Sequence, residues 1–224
     1  MPRIHFHQQL AALKDKLLAM AALAHQVLEY SVTAYANGDM SLCDHVLEIE
    51  AAINAAEREV DEMAYELLSR EQPMAIDLRF ILSVIKINGD LERIGDQSVN
   101  IAQRARSLEK LPRVALPVDI VRMGEHAGKM TQLAIQALVE GDVAIADQVL
   151  AMDDEMDLMN REVQDVMVEL MQQKPEITDY ALNAIIIARN LERSGDHATN
   201  IAEDVIFWVR GSDVRHKFAL ADAD

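Results

Sequence analysis

One cysteine, five prolines, eight glycines and an aromatic share of 4% are all that 224 residues hold of four residue classes. The lone Cys43 rules out an internal disulfide and fits a reducing compartment. Scarce proline and glycine leave long stretches unbroken, and Ala, Leu, Ile, Met and Glu fill them, which is helix-forming chemistry. Basic residues are also short, 21 against 38 acidic ones, so the net charge is −17. Such a surface repels nucleic acid and anionic lipid headgroups, which argues against direct DNA binding. No apolar run approaches the ~18–20 residues of a membrane span. The opening MPRIHFHQQLAALK lacks the apolar core of a signal peptide, so a cytoplasmic protein is expected. There is no P-loop, no nucleotide-type glycine motif and no Gly-x-Ser-x-Gly elbow.

What is present is a repeat. Residues 87–102 read INGDLERIGDQSVNIA and residues 187–202 read IARNLERSGDHATNIA, with nine of sixteen positions identical. The turns repeat too: Asn37-Gly38-Asp39 with Glu140-Gly141-Asp142, and Pro73 with Pro175. Leu10, Leu13, Leu17, Met20, Ala24 and Leu28 recur at helical spacing between about His5 and Ala36. A second helix is predicted to Glu71, with Asp39 or Ser41 as its cap, and a third over about Ala75–Leu108. In the second half helices are predicted over 118–140, 143–173 and 177–210, and a loose tail after Gly211. The fold expected is all-α, a tandem repeat of two antiparallel three-helix bundles with pseudo-two-fold symmetry. The units are 1–111 and 112–224, joined near Pro112 and Pro117.

The repeated motif carries the chemistry. Glu92, Asp96 and Asn100, and again Glu192, Asp196 and Asn200, stand four apart on one helical stripe. Helices two and three run antiparallel about Pro73, so Glu50 comes level with Asp96 and Asn54 with Glu92. In the second unit Asp153 comes level with Asp196, and Asp157 with Glu192. Oxygen ligands converging between two helices repel when empty, and a cation relieves them. Divalent or trivalent metal ions, one or several per site, are therefore expected at Glu50, Asn54, Glu92, Asp96 and Asn100, and at Asp153, Asp157, Glu192, Asp196 and Asn200. Oxygen ligation does not separate Fe, Zn, Mn, Mg or Ni. Gly95 and Gly195 are expected to let a helix or a cluster approach, at about 1 kcal/mol each relative to Ala. Arg93 and Arg193 point about 100° away and are expected in surface salt bridges. His25 and His126 read as half-buried structural histidines, and His197 as at most an optional ligand. The Glu-x-x-His pattern of di-iron oxidases is missing, the nearest being Asp213…His216 in the tail.

These motifs carry a resemblance. With IHFHQQLAALKDKLLAM at the start, QPMAIDLRFILSVIKINGDLERIGDQSVNIA in the middle and NLERSGDHATNIAED later, the chain resembles the PhoU family over essentially its whole length. The resemblance implies two three-helix bundles whose Glu/Asp-x-x-x-Asp motifs, here Glu92…Asp96 and Glu192…Asp196, hold multinuclear metal clusters. It further implies a non-enzymatic negative regulator of the phosphate-starvation response. Its partners would be the ATPase subunit of the phosphate transporter and a membrane sensor histidine kinase, met peripherally at the membrane, with no nucleic acid. A homodimer is expected. The chain departs from symmetry where Asp90 matches Asn190, Asn54 matches Asp157 and Glu57 matches Asn160. The alternative is a carboxylate-bridged metalloenzyme, an oxidase or phosphohydrolase, using the same acids.

Overall fold

The computed structural model describes residues 2–71, 73–111 and 114–214. Pro112, His216 and the tail from 215 lie outside the described residues, so the expectations placed on them go no further. Seven α-helices follow in order: α1 Pro2–Asn37, α2 Met40–Arg70, α3 Ile76–Leu108, α4 Ile120–Glu140, α5 Val143–Leu150, α6 Asp153–Gln173 and α7 Thr178–Arg210. A 3-10 turn, Pro175–Ile177, leads into α7, and no strand occurs among the described residues.

The punctuation works as its chemistry dictates. Gly38 and Gly141 adopt φ of 69° and 63°, the left-handed region that lets a helix stop without a Cβ clash. The following aspartates then cap the next helix. Asp39 accepts from the Ser41 amide at 3.0 Å and Asp142 from the Ala144 amide at 2.7 Å. Of the two cap candidates for α2, it is Asp39 that serves.

One expectation fails. The helix predicted over 143–173 breaks at Ala151-Met152 into α5 and α6. The Met152 amide bonds back only to Val149 O at 3.0 Å, tightening that turn. His126, half-buried on α4, takes the Met152 carbonyl through Nε2 at 3.0 Å. The break also starts α6 with Asp153, Asp154 and Glu155, three acids that a helix N-terminus favours.

Buried Leu13, Leu17, Met20, Ala24 and Leu28 line the inner stripe of α1. Helix α2 packs on α1 and α3, while α5 and α6 pack on α4 and α7. The two units meet along two seams, α1 on α4 and α3 on α7. Both are antiparallel. Lys14 Nζ reaches Val139 O at 2.9 Å and Val32 faces Gly124. On the other seam Arg79 Nε donates to Trp208 O at 3.2 Å, Ser83 Oγ to Asp204 O at 2.9 Å and Lys86 Nζ to the Asp204 carboxylate at 3.0 Å. A pseudo-two-fold axis perpendicular to both helix pairs follows from this register and the repeat.

Candidate functional site

Helix packing positions the acids. A Cβ on Gly95 would stand 3.2 Å from Ile53 Cδ1 on α2, and one on Gly195 would stand 3.2 Å from Met156 Cγ on α6. The glycines thus let α2 approach α3, and α6 approach α7, at the level of the motifs. Their use is helix contact.

In the first unit Glu92 is half-buried beside Glu50 and Glu57, with Asp96 on the exposed edge of the same stripe. Partial burial pushes the Glu92 carboxyl above its usual range, and Asp96, Glu57 and Glu50 add to the rise against Arg93. Asn54 donates to Glu50 Oε1 at 2.5 Å and so orients it. The acid stripe extends beyond the expected set. Glu57 and Asp61 continue the 50–54 spacing along α2, and buried Asn88 on α3 donates to Glu57 O at 2.9 Å and Asp61 Oδ1 at 3.0 Å. Spacing alone could have found Glu57 and Asp61, since both fall on the helical stripe through Glu50.

In the second unit Asp153, Asp157, Glu192 and Asp196 sense one another. Burial and then Asp196 and Asp157 push Glu192 up, against Arg189 and Arg193. The protein packed around the exposed-edged Asp196, followed by Asp153 and Asp157, raises that carboxyl as well. Asp153 rises through burial, opposed by the hydrogen bond from Thr199 Oγ1 at 3.2 Å. Thr199 was not among the expected residues. Here the continuation of the stripe is neutral, with Asn160 accepting from Gln164 Nε2 at 3.2 Å.

The outer asparagines behave differently. Asn200 turns to the α3–α7 seam and donates to Asp90 Oδ1 at 3.3 Å, where His197 Nδ1 also meets it at 2.9 Å. His197, read as an optional ligand, is therefore the seam partner of a buried carboxylate. Asn100 lies on the exposed side of α3. Arg93 makes its expected salt bridge, to Asp90 at 3.5 Å; Arg193 makes none among the described residues.

The donors have the chemistry of hard-cation ligands: carboxylates, three of which have their proton affinity raised first by burial and then by one another. They line an accessible face and do not form a closed cage. Among the described residues no three His, Cys, Asp or Glu side chains meet closely enough to enclose an ion. Also among them, no helix is long and apolar enough to cross a membrane.

Fold and site together define a tandem helical bundle with an acid-lined face on each unit. The chain belongs to the PhoU family: the PhoU domain matches residues 17–105 and again 120–205. The phosphate-specific transport system accessory protein PhoU homolog of Pseudomonas aeruginosa is 39% identical over 212 residues, covering 94% of this chain and 88% of that protein. Homolog 1 from Thermotoga maritima is 33% identical, covering 95% and 92%. The crystal structure of PhoU from Pseudomonas aeruginosa superposes with a TM-score of 0.88 at 38% identity, covering 92% of this chain and all of that one. This is an accessory protein of phosphate transport, not an enzyme, and the metalloenzyme alternative falls away.

Proposed function

We propose that the chain is a negative regulator of the phosphate-starvation response, acting in the cytoplasm as a homodimer. It works through protein contacts with the transporter's ATPase subunit and a membrane sensor histidine kinase. The single observation that supports this reading is end-to-end kinship with proteins named for the phosphate-specific transport system. The test is a deletion strain carrying a reporter of the starvation response. The reporter should stay on in phosphate-rich medium and switch off when the gene is returned. A deletion strain that still represses it sinks the reading.

The acid faces are the proposed metal sites. Glu50, Glu57, Glu92 and Asp96 would hold ions on the first unit, with Asn54 orienting Glu50. Asp153, Asp157, Glu192 and Asp196 would hold them on the second. Bound cations would offset the repulsion among these carboxylates and fix the faces as docking surfaces. Metal content of protein purified without added metal, measured with native mass, tests both the ions and the dimer.

A further inference from the structure

The pseudo-two-fold is broken in charge along the α3–α7 seam. Near one end of the α3–α7 seam, Lys86, Gly89, Asp90, Arg93, Glu203 and Asp204 border an open groove of about 430 Å³. Its cations are paired: Lys86 with Asp204 at 3.0 Å and Arg93 with Asp90 at 3.5 Å. The hundred-residue offset carries these six positions to Ile186, Arg189, Asn190, Arg193, Gln103 and Arg104 at the other end of the seam. Every carboxylate has gone, and three arginines stand where two cations and three acids stood.

The arginines are accessible and unspent. Arg189 and Arg193 are exposed and Arg104 is half-buried. None has an ion-pair partner among the described residues. Arg189 and Arg193 lie near enough to Glu192 to oppose its upward shift, yet neither closes on it. The antiparallel register of Lys86 with Asp204 places Arg104 level with Ile186, about one turn from Arg189. Buried Gln97, the counterpart of His197, leaves its Oε1 without a partner at this end. On a chain of net charge −17 this is a local reversal of sign.

We infer that Arg104, Arg189 and Arg193 form a docking patch for an acidic segment of a protein partner. The inference rests on the reading that this chain acts through protein contacts. Charge complementarity selects the occupant. An acidic segment is repelled by a surface of net charge −17 and attracted where three arginines stand together, so the patch sets where and in which orientation it docks. Arginine forks suit carboxylates, which they grip through paired N–H donors.

The test uses the full chain and a fluorescent glutamate-rich peptide, with its glutamine counterpart as control. Wild type should bind the acidic peptide at low ionic strength, weakening steeply with added salt. The triple variant R104Q/R189Q/R193Q, checked for unchanged helicity and melting, should bind about tenfold or more weakly. The triple lysine variant should keep most of the binding, and R58Q or K174Q should change nothing. Equal binding by the glutamine variant or the glutamine peptide overturns the proposal. So does preferential binding of inorganic phosphate or of an oligonucleotide. Binding of the ATPase subunit is measured in parallel. Peptide binding without ATPase binding refutes the partner assignment and leaves the patch standing; ATPase binding untouched in the glutamine variant refutes the patch as the docking site.

Discussion

Two glycines on α4 give opposite expectations from the same substitution. Gly124 faces α1 across the seam that joins the units, and a Cβ there would stand 2.6 Å from Val32 Cγ1 and 2.8 Å from Cγ2. Both methyls hang from a branched Cβ, so rotating χ1 cannot clear them cheaply. Gly128, one turn on, has nothing within 4 Å of the same added atom. Alanine gains about 1 kcal/mol over glycine in a helix interior, and both sites share that gain. Overpacking at Gly124 costs about 1–3 kcal/mol. G128A should therefore raise the melting temperature by about 2–4 °C, and G124A should lower it by a few degrees. V32A made together with G124A should recover part of the loss, because the two sites share one contact. Calorimetric and circular-dichroism melts of the four proteins decide the matter. Equal melting temperatures for G124A and G128A would refute the seam packing argued above.

If the acid faces hold metal, D96A and D196A should each lower the bound metal of their own unit while helicity stays, and unchanged stoichiometry in both would mark the faces as merely solvated. Chelation should lower the melting temperature, and less so at high ionic strength, because metal binds the folded form and salt screens the bared carboxylates; a chelator-insensitive melt with metal loss verified contradicts this. Glu92, Asp153, Glu192 and Asp196 have raised carboxyl pKa values in the folded, metal-free chain, so the native state binds more protons than the unfolded one. Metal-free protein should then gain stability as pH falls from neutrality through those raised values toward the ordinary carboxylate range near ~4. Metal-loaded protein should lose stability over the same interval as protons displace cations, and parallel slopes in the two samples would sink the argument.

Much of the fold was legible because it rests on spacing. The stripe Leu13, Leu17, Met20, Ala24, Leu28 is buried as its period requires, and the paired glycine-aspartate turns stop and restart helices where they stand. The α5–α6 break was not legible, because its cause lies on another helix: His126 takes the Met152 carbonyl across 26 residues of chain. No propensity along 143–173 announces that contact. The candidate site divides the same way. Glu192 stands near Asp157, the residue the proline turn sets at its level, whereas Glu92 stands near Glu57 and Glu50, which flank the Asn54 expected at its level. Asn200 and His197 went elsewhere because both are drawn to Asp90, a seam residue of the other unit. A burial of charge at an interface between repeats leaves no periodic signature within either repeat.

The duplication explains why the backbone is nearly symmetric, but the polar groups have not stayed so. The first acid face lies on a continuous α2 and continues through Asp61 and Asn88. The second begins at the N-terminus of α6, just after a break, and continues through neutral Asn160 and Gln164. At the seam a buried Asp90 held by His197 and Asn200 stands opposite an Asn190 that donates only to Ile186 O at 2.6 Å. Hydrophobic cores tolerate exact repetition because burial has no direction, whereas charge does. A partner laid across the pseudo-two-fold axis therefore meets paired charges at one end and free arginines at the other. Turning that partner end for end would set its acids against ion pairs, Lys86 with Asp204 and Arg93 with Asp90. If the arginine patch docks an acidic segment, the charge pattern selects one of two orientations that the fold alone would leave equivalent.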